Sequence, residues 1–252
     1  MRALAGLLAL VAACTFDTAV NSEFTSTEDG VPADAQSATE DSGAADANPL
    51  IDAALVDAAV DAAVDAAEPP ILYLLQPTGE ATIKADIGGN GGGAFDEDCP
   101  GGRVVTGFDG DDNSGGICRL QAFCSVLTAN PNGTVTTSDP QLTDIHGSEN
   151  SVVPEDPIQC PANQVVVGVN GRSNNSLRKL EIICAPLTWD YATTTYSVGT
   201  AQTVPGNIGR EQGQQSSDSC DPDEVVGGFG GNAGTLVDRF ELHCFSLEAI
   251  AQ

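Results

Sequence analysis

Cys99-Pro100-Gly101-Gly102-Arg103-Val104-Val105-Thr106-Gly107-Phe108-Asp109-Gly110 recurs twice more in this chain with small variations. The second copy is Cys160-Pro161-Ala162-Asn163-Gln164-Val165-Val166-Val167-Gly168-Val169-Asn170-Gly171. The third is Cys220-Asp221-Pro222-Asp223-Glu224-Val225-Val226-Gly227-Gly228-Phe229-Gly230-Gly231. All three fit C-x4-V-V-x-G-[FV]-x-G, and their opening cysteines stand 61 and 60 positions apart. Each copy closes on a second cysteine: Cys124, Cys184 or Cys244. Leu120, Leu180 or Phe240 precedes it by four residues, and Leu127, Leu187 or Leu247 follows it by three. A fixed period of this length marks a repeat architecture. One such unit cannot bury its own apolar face well, whereas three sharing an interior can. Of the 28 glycines, 25 lie beyond residue 70, among short β-rich runs separated by turn clusters. The reading is an all-β, pseudo-threefold domain over residues 71–252, with repeats around 80–127, 140–187 and 200–247.

Of the eight cysteines, six pair by position: Cys99 with Cys124, Cys160 with Cys184 and Cys220 with Cys244. These pairs close loops of near-equal length, and bridges of that kind persist in an oxidising compartment. Zinc is the competing use of the same residues. It favours closely spaced ligands such as C-x2-C, and the sequence has none. Cys118 is left over; Arg178 and Asp238 hold its place in the other copies. Its two readings are a buried free thiol and a partner for another molecule or for an unlipidated Cys14.

The chain start supports the compartment. Arg2 precedes an apolar run from Ala3 to Ala13. Eleven residues are too few to span a bilayer, which takes about 20, but suit a signal peptide over residues 1–14. Val11-Ala12-Ala13-Cys14 resembles a bacterial lipobox, which implies acylation of Cys14. An ordinary cleaved signal is the alternative, and both routes export the chain. Thr15 follows where an inner-membrane retention Asp would stand, so the expected location is the outer membrane or cell surface. Residues 15–70 carry 13 acidic side chains and no Lys or Arg. Such a segment cannot offset its own chain entropy by burial, and reads as a disordered acidic tether. The net charge of −27 argues against nucleic acid, whose phosphates need clustered cations. It leaves lipidation as the only expected membrane contact.

Catalytic chemistry is sparse. His146 and His243 are the only imidazoles. Period-two alternation puts Phe240, Leu242 and Cys244 on one strand face and His243 on the other, exposed one. No nucleophile elbow, P-loop or H-E-x-x-H is present. The chain therefore reads as a non-enzyme, and a hydrolase built on paired carboxylates remains a third reading behind two binding ones. Asp109, Asp111 and Asn113 have the D-x-D-x-N spacing of an oxygen-rich calcium loop. Ser114 stands where that loop requires Gly, and Leu120 where it requires Glu, so an acidic exposed turn is the alternative. No other cofactor is expected.

Two glycine-bearing segments remain. Gly88-Gly89-Asn90-Gly91-Gly92-Gly93-Ala94-Phe95 precedes the first copy, and Gly234-Thr235-Leu236-Val237-Asp238 lies in the third. Together with the C-P-x-x-x-V-V-x-G-F-x-G signature they resemble the jacalin-related lectins, specifically bacterial jacalin-like exported lipoproteins. The resemblance spans most of residues 80–247. It implies a β-prism of three Greek-key sheets, with sugar held between the two segments. Asp238 would then accept sugar hydroxyls, Thr235, Leu236 and Val237 would offer backbone groups beside Gly234, and Gly88, Gly89 and Gly92 would form the facing loop. A carboxylate is a strong acceptor, and glycine lets backbone approach closely. The expected partner is a glycan or an envelope polysaccharide. Arg119-Leu120 and Arg239-Phe240 also resemble the repeat endings of vitelline membrane outer layer protein, another threefold β-prism. That second likeness keeps open a structural or protein-interaction role without sugar binding.

Overall fold

The computed structural model describes residues 70–148 and 153–252. The expected signal, Cys14 and nearly all of the expected acidic tether lie outside the described residues. Two strands open the domain, β1 (Tyr73–Gly88) and β2 (Gly93–Asp98). The first repeat copy then folds as a hairpin of β3 (Val104–Asn113) and β4 (Gly116–Ala129). Short strands follow: β5 (Val135–Leu142), β6 (His146–Gly147), β7 (Val153–Pro154) and β8 (Ile158–Gln159). The second copy is the hairpin β9 (Gln164–Ser173) and β10 (Leu177–Asp190). After it come β11 (Thr195–Val198), β12 (Gln202–Thr203), β13 (Ile208–Gly209) and β14 (Gln214–Ser219). The third hairpin, β15 (Val225–Ala233) and β16 (Val237–Ala251), ends the chain.

Each hairpin is the centre of one antiparallel face, and each face is completed the same way. Strands after the first hairpin flank it: β5 and β6 pair with β4, while β7 and β8 pair with β3. The second hairpin takes β11, β12 and β13 beside β10, and β14 beside β9. The third hairpin is completed by the opening strands of the domain, β1 beside β16 and β2 beside β15. The domain is thus a ring of three Greek-key faces closed by its own ends. Tyr73–Leu75 also pairs with Leu127–Ala129, which joins the third and first faces along one edge.

The repeated residues fill the interior. Leu120, Leu180 and Phe240 are fully buried in one cluster with Phe108, Phe229 and Ile182. Leu127, Leu187 and Leu247 belong to a second cluster with Leu75 and Trp189. The V-V pairs divide between them: Val105, Val166 and Val226 enter the first cluster, Val104, Val165 and Val225 the second. Adjacent strand residues point to opposite faces, so a V-V pair marks a strand end covered on both sides.

The three disulfides form as the loop lengths predict, with Cα–Cα separations of 5.6, 5.7 and 5.5 Å. Each bridge lies within one sequence copy but spans two faces. Cys99, just after β2, donates its N–H to Gly227 of the third hairpin, while Cys124 lies in the first. Cys160 binds Thr106 of the first hairpin and is bridged to Cys184 of the second. Cys220 binds Val167 of the second and is bridged to Cys244 of the third. The bridges therefore staple each face to the next. Cys118 is a buried free thiol whose Sγ lies 3.4 Å from the Asp111 carbonyl.

His243 departs from the expected exposure. Alternation does place it on the outer face, yet it is only 4% exposed. Its neighbours on β15 and β2 explain why. The bare backbone of Gly228 and Gly230 lets the ring lie flat, and Asp98 closes over it, 3.0 Å from Nδ1.

Candidate functional site

The three hairpin turns meet at one end of the prism. Ser176 Oγ donates to the Gly115 carbonyl at 3.1 Å, and Arg178 Nη1 to the Ser114 carbonyl at 3.3 Å. A Cβ on Gly115 would stand 3.2 Å from Leu236 Cδ1. The glycine segment reaches the same end, where a Cβ on Gly89 would lie 2.6 Å from the Asn175 carbonyl.

Just behind each turn the ladder slips by one residue. Arg239 pairs with Asn232 and Val237 with Ala233, leaving Asp238 unmatched. Cys118 and Arg178 are skipped in the same way. Such a bulge re-aims the side chain of the extra residue. It also frees that residue's carbonyl, and a neighbouring strand uses it. Gly89 N–H donates to Asp238 O at 2.7 Å, Ser148 N–H to Cys118 O at 2.6 Å, and Arg210 N–H to Arg178 O at 2.7 Å. The residue before each donor is a glycine with positive φ: Gly88 at 129°, Gly147 at 99° and Gly209 at 88°. A Cβ there would sit 2.1 to 2.2 Å from the same carbonyl oxygen. This threefold glycine is a repeat the sequence reading missed. Ile87-Gly88, His146-Gly147 and Ile208-Gly209 was the available signal, too short to stand out.

At the third copy this device presents Asp238, half-buried, beside the glycine segment. A Cβ on Gly91 would fall 2.8 Å from its Cγ and 3.0 Å from each carboxylate oxygen. A Cβ on Gly92 would strike Ala233 and the Gly234 nitrogen at 2.4 to 2.8 Å. No described side chain bonds the Asp238 carboxylate. Arg239, its sequence neighbour, is ion-paired with Asp86 at 2.8 Å and with Glu241.

The structure thus brings the two expected segments together and divides their roles. Gly88 and Gly89 hold the Asp238 backbone. Gly91 and Gly92 form the wall nearest the carboxylate and the turn. Gly234 N–H and the Leu236 carbonyl bond each other at 2.8 Å and so close the turn. Val237 is buried and contributes its side chain to the core. Thr235 is exposed at the tip. The equivalent positions of the other faces carry the buried thiol of Cys118 and the guanidinium of Arg178, so the third copy alone offers a free carboxylate there.

The calcium-loop expectation is corrected. Asp109, Asp111 and Asn113 lie on β3, laddered to β4, and do not wrap around a common centre. Arg119 occupies both carboxylates, at 3.0 Å from Asp109 Oδ2 and 2.6 Å from Asp111 Oδ2. Gln121 donates to Asp109 as well, and Asn113 Oδ1 accepts the Gly115 N–H at 2.7 Å. The D-x-D-x-N spacing belongs to an ion-paired strand ending in a turn cap.

Three antiparallel Greek-key faces around a shared core define a β-prism, and the bulge with its facing glycine loop defines one candidate binding end. No family model and no curated protein matches the chain. Solved structures similar to it include Malaysian banana lectin, at 16% identity and TM-score 0.43, covering 66% of this chain and 99% of that one. Calystegia sepium agglutinin has 17% identity and TM-score 0.45, covering 67% and 99%. A mannose-binding jacalin-related lectin from Ananas comosus has 18% identity and TM-score 0.42, covering 66% and 98%. The fold reading rests on the strand pairing above.

Proposed function

We propose that this chain is a non-catalytic carbohydrate-binding module whose site is Asp238 with Gly91, Gly92 and the 234–237 turn. The observation that carries it is the Asp238 carboxylate. It is half-buried, aimed by a bulge, bonded by no side chain among the described residues and flanked by a glycine wall too close to admit a side chain. A carboxylate held this way accepts two adjacent hydroxyls in charge-assisted hydrogen bonds, each stronger than a neutral one. Vicinal diols of sugars present that pair. A glycan array probed with the full chain and with Asp238→Asn tests the reading. Binding should fall at least about tenfold in the variant, since charged hydrogen bonds contribute about 1.5–3 kcal/mol each. Undiminished binding would move the site elsewhere, and no binding to any glycan would favour a structural envelope role.

The same proposal places the module at the outer membrane or cell surface, held by acyl chains on Cys14 and spaced by the acidic segment. The short apolar leader and lipobox-like Val11–Cys14 support this. Loss of palmitate labelling in Cys14→Ser, with the protein released from membranes, is the expected result.

A further inference from the structure

The outer face of the third hairpin carries three metal-ligating side chains that the sugar site does not use. Asp96 and Asp98 stand two apart on β2 and project to the same side. His243 on β16 faces them across β15. Its Nδ1 lies 3.0 Å from Asp98 Oδ1 and 3.5 Å from Asp96 Oδ1. One ligand atom from each of the three falls within 4.8 Å of the others.

The prism's own repetition serves as an internal control. The place of His243 is held by Phe123 in the first copy and Ile183 in the second, one residue before the closing cysteine. The places of Asp96 and Asp98 are held by Pro157 and Gln159, then by Ser217 and Ser219. Gly230 corresponds to Asp109 and Asn170. The fold therefore asks for neither an imidazole nor carboxylates here; two of three faces close with an apolar residue. On this face alone, Gly230 is bare and a Cβ would come 2.8 Å from His243 Nε2. Removing that side chain is what lets the ring lie across β15 and bring Nδ1 to the carboxylates.

We infer that Asp96, Asp98 and His243 form a site for a divalent first-row transition metal of the zinc class. Metal–ligand bonds of about 2.0–2.1 Å in a tetrahedron separate neighbouring donors by about 3.3 Å. The observed 3.0 and 3.5 Å bracket that edge. One imidazole nitrogen with two carboxylate oxygens suits zinc, cobalt or manganese better than calcium, which prefers six to eight oxygens. The ion would offset the two carboxylate charges. Asp96 and Asp98 are 82% and 59% exposed as side chains, so the ion's remaining positions open to water. The site stands apart from Asp238 and does not depend on the sugar reading.

The test uses the full chain stripped with chelator. Titration with Zn2+ by calorimetry and with Co2+ by visible absorption should show one tight equivalent with the band of a tetrahedral ion. The two histidines of the chain make imidazole nitrogen NMR simple to read: Zn2+ should shift His243 and leave His146 in place. His243→Phe copies the residue of the first face, and Asp96→Asn changes a group that is mostly in water, so one of the pair folds even if the other does not. Each should weaken the tight equivalent at least about tenfold, the lower end of what loss of a supporting residue alone costs. The acidic tether is identical in all three proteins, so weak binding to it cancels. Equal binding by parent and variants would overturn the proposal. So would a His243 signal that responds to pH but not to Zn2+, which would mark a simple imidazole–carboxylate ion pair.

Discussion

At Gly147 and Gly209 the backbone is in the left-handed region, and a methyl group would stand 2.2 Å from a carbonyl oxygen. Space and φ both exclude a side chain there, so Gly209→Ala should lower stability by about 3 kcal/mol. A denaturant midpoint measures that loss, while Gly79→Ala, with positive φ but nothing within 4 Å, should cost less. Cys118 is a second residue with a definite chemistry. Burial raises its pKa, and the Asp111 charge raises it further. The thiolate is the reactive form, so the native protein should resist iodoacetamide at neutral pH and accept it only after denaturation. Glu155 gives a pH dependence. Burial first, then the charge of Asp112 and a hydrogen bond to it, raise its carboxyl pKa above the ordinary value; the Arg210 cation pulls the other way, and Asp111 adds to the rise. Between the ordinary and the raised value the folded chain holds a proton that the unfolded chain has released. The group's contribution is therefore complete below the ordinary carboxyl pKa and is lost as pH rises through the folded one. Stability curves from about pH 4 to pH 8 should show that decline in the parent and a flatter one in Glu155→Gln.

Among elements, the bridges do more than close hairpins. Each closes a loop with a sequence separation of 24 or 25 residues, worth about 3 kcal/mol by chain entropy. Because each also ties one face to the next, replacing Cys160 and Cys184 by Ala should lower stability by about that amount and free the seam between the first and second hairpins. Hydrogen exchange of the position-160 amide, which donates to the Thr106 carbonyl, would show the seam loosened, with the Cys99 amide that donates to Gly227 still protected. The pairing of cysteines was legible because three loops of one length agree with each other. Which faces they join was not, since that depends on β2, β8 and β14 each leaving their own copy to pair with the hairpin before. A strand's partner is a non-local fact, and Gly93–Asp98 carries no mark that its ladder lies at Val225–Ala233. The same limit explains His243. Alternation read its face correctly, but its burial is made by Gly228, Gly230 and Asp98 of other strands. The bulges were equally hidden: period two continues through Phe240, Leu242 and Cys244, and nothing in Asp238-Arg239 announces a slipped register. Asp238 was found through its glycines, and its aim comes from the bulge.

For the whole molecule, the decisive fact is that the ring is closed by its two ends. Three copies were visible, yet the face of the third hairpin is completed by β1 and β2, which precede the first. Tyr73 pairs with Ala251, and Gln252 N–H donates to the Leu72 carbonyl at 3.0 Å. The chain ends of the domain are therefore neighbours, and the repeat has no privileged start. A circular permutant should fold: Gln252 joined to Pro70 by a short Gly/Ser linker, with new ends opened at the exposed Ala192–Thr194 turn. That cut leaves Tyr191 stacked edge-on against Tyr73 and breaks no ladder pair. Its stability should lie within about 2 kcal/mol of the parent, since only loop-closure entropy changes. Removing Ile71–Gln76 instead should be severe. It unpairs the stretch of β16 from Glu248 to Ala251, together with Leu127–Ala129 of β4, and takes Leu75 from the core. Open strand edges of that kind recruit other chains, so the truncated protein should aggregate while the permutant stays monodisperse in sedimentation. If the permutant failed and the truncation folded, the ring closure would not be what holds the three faces together.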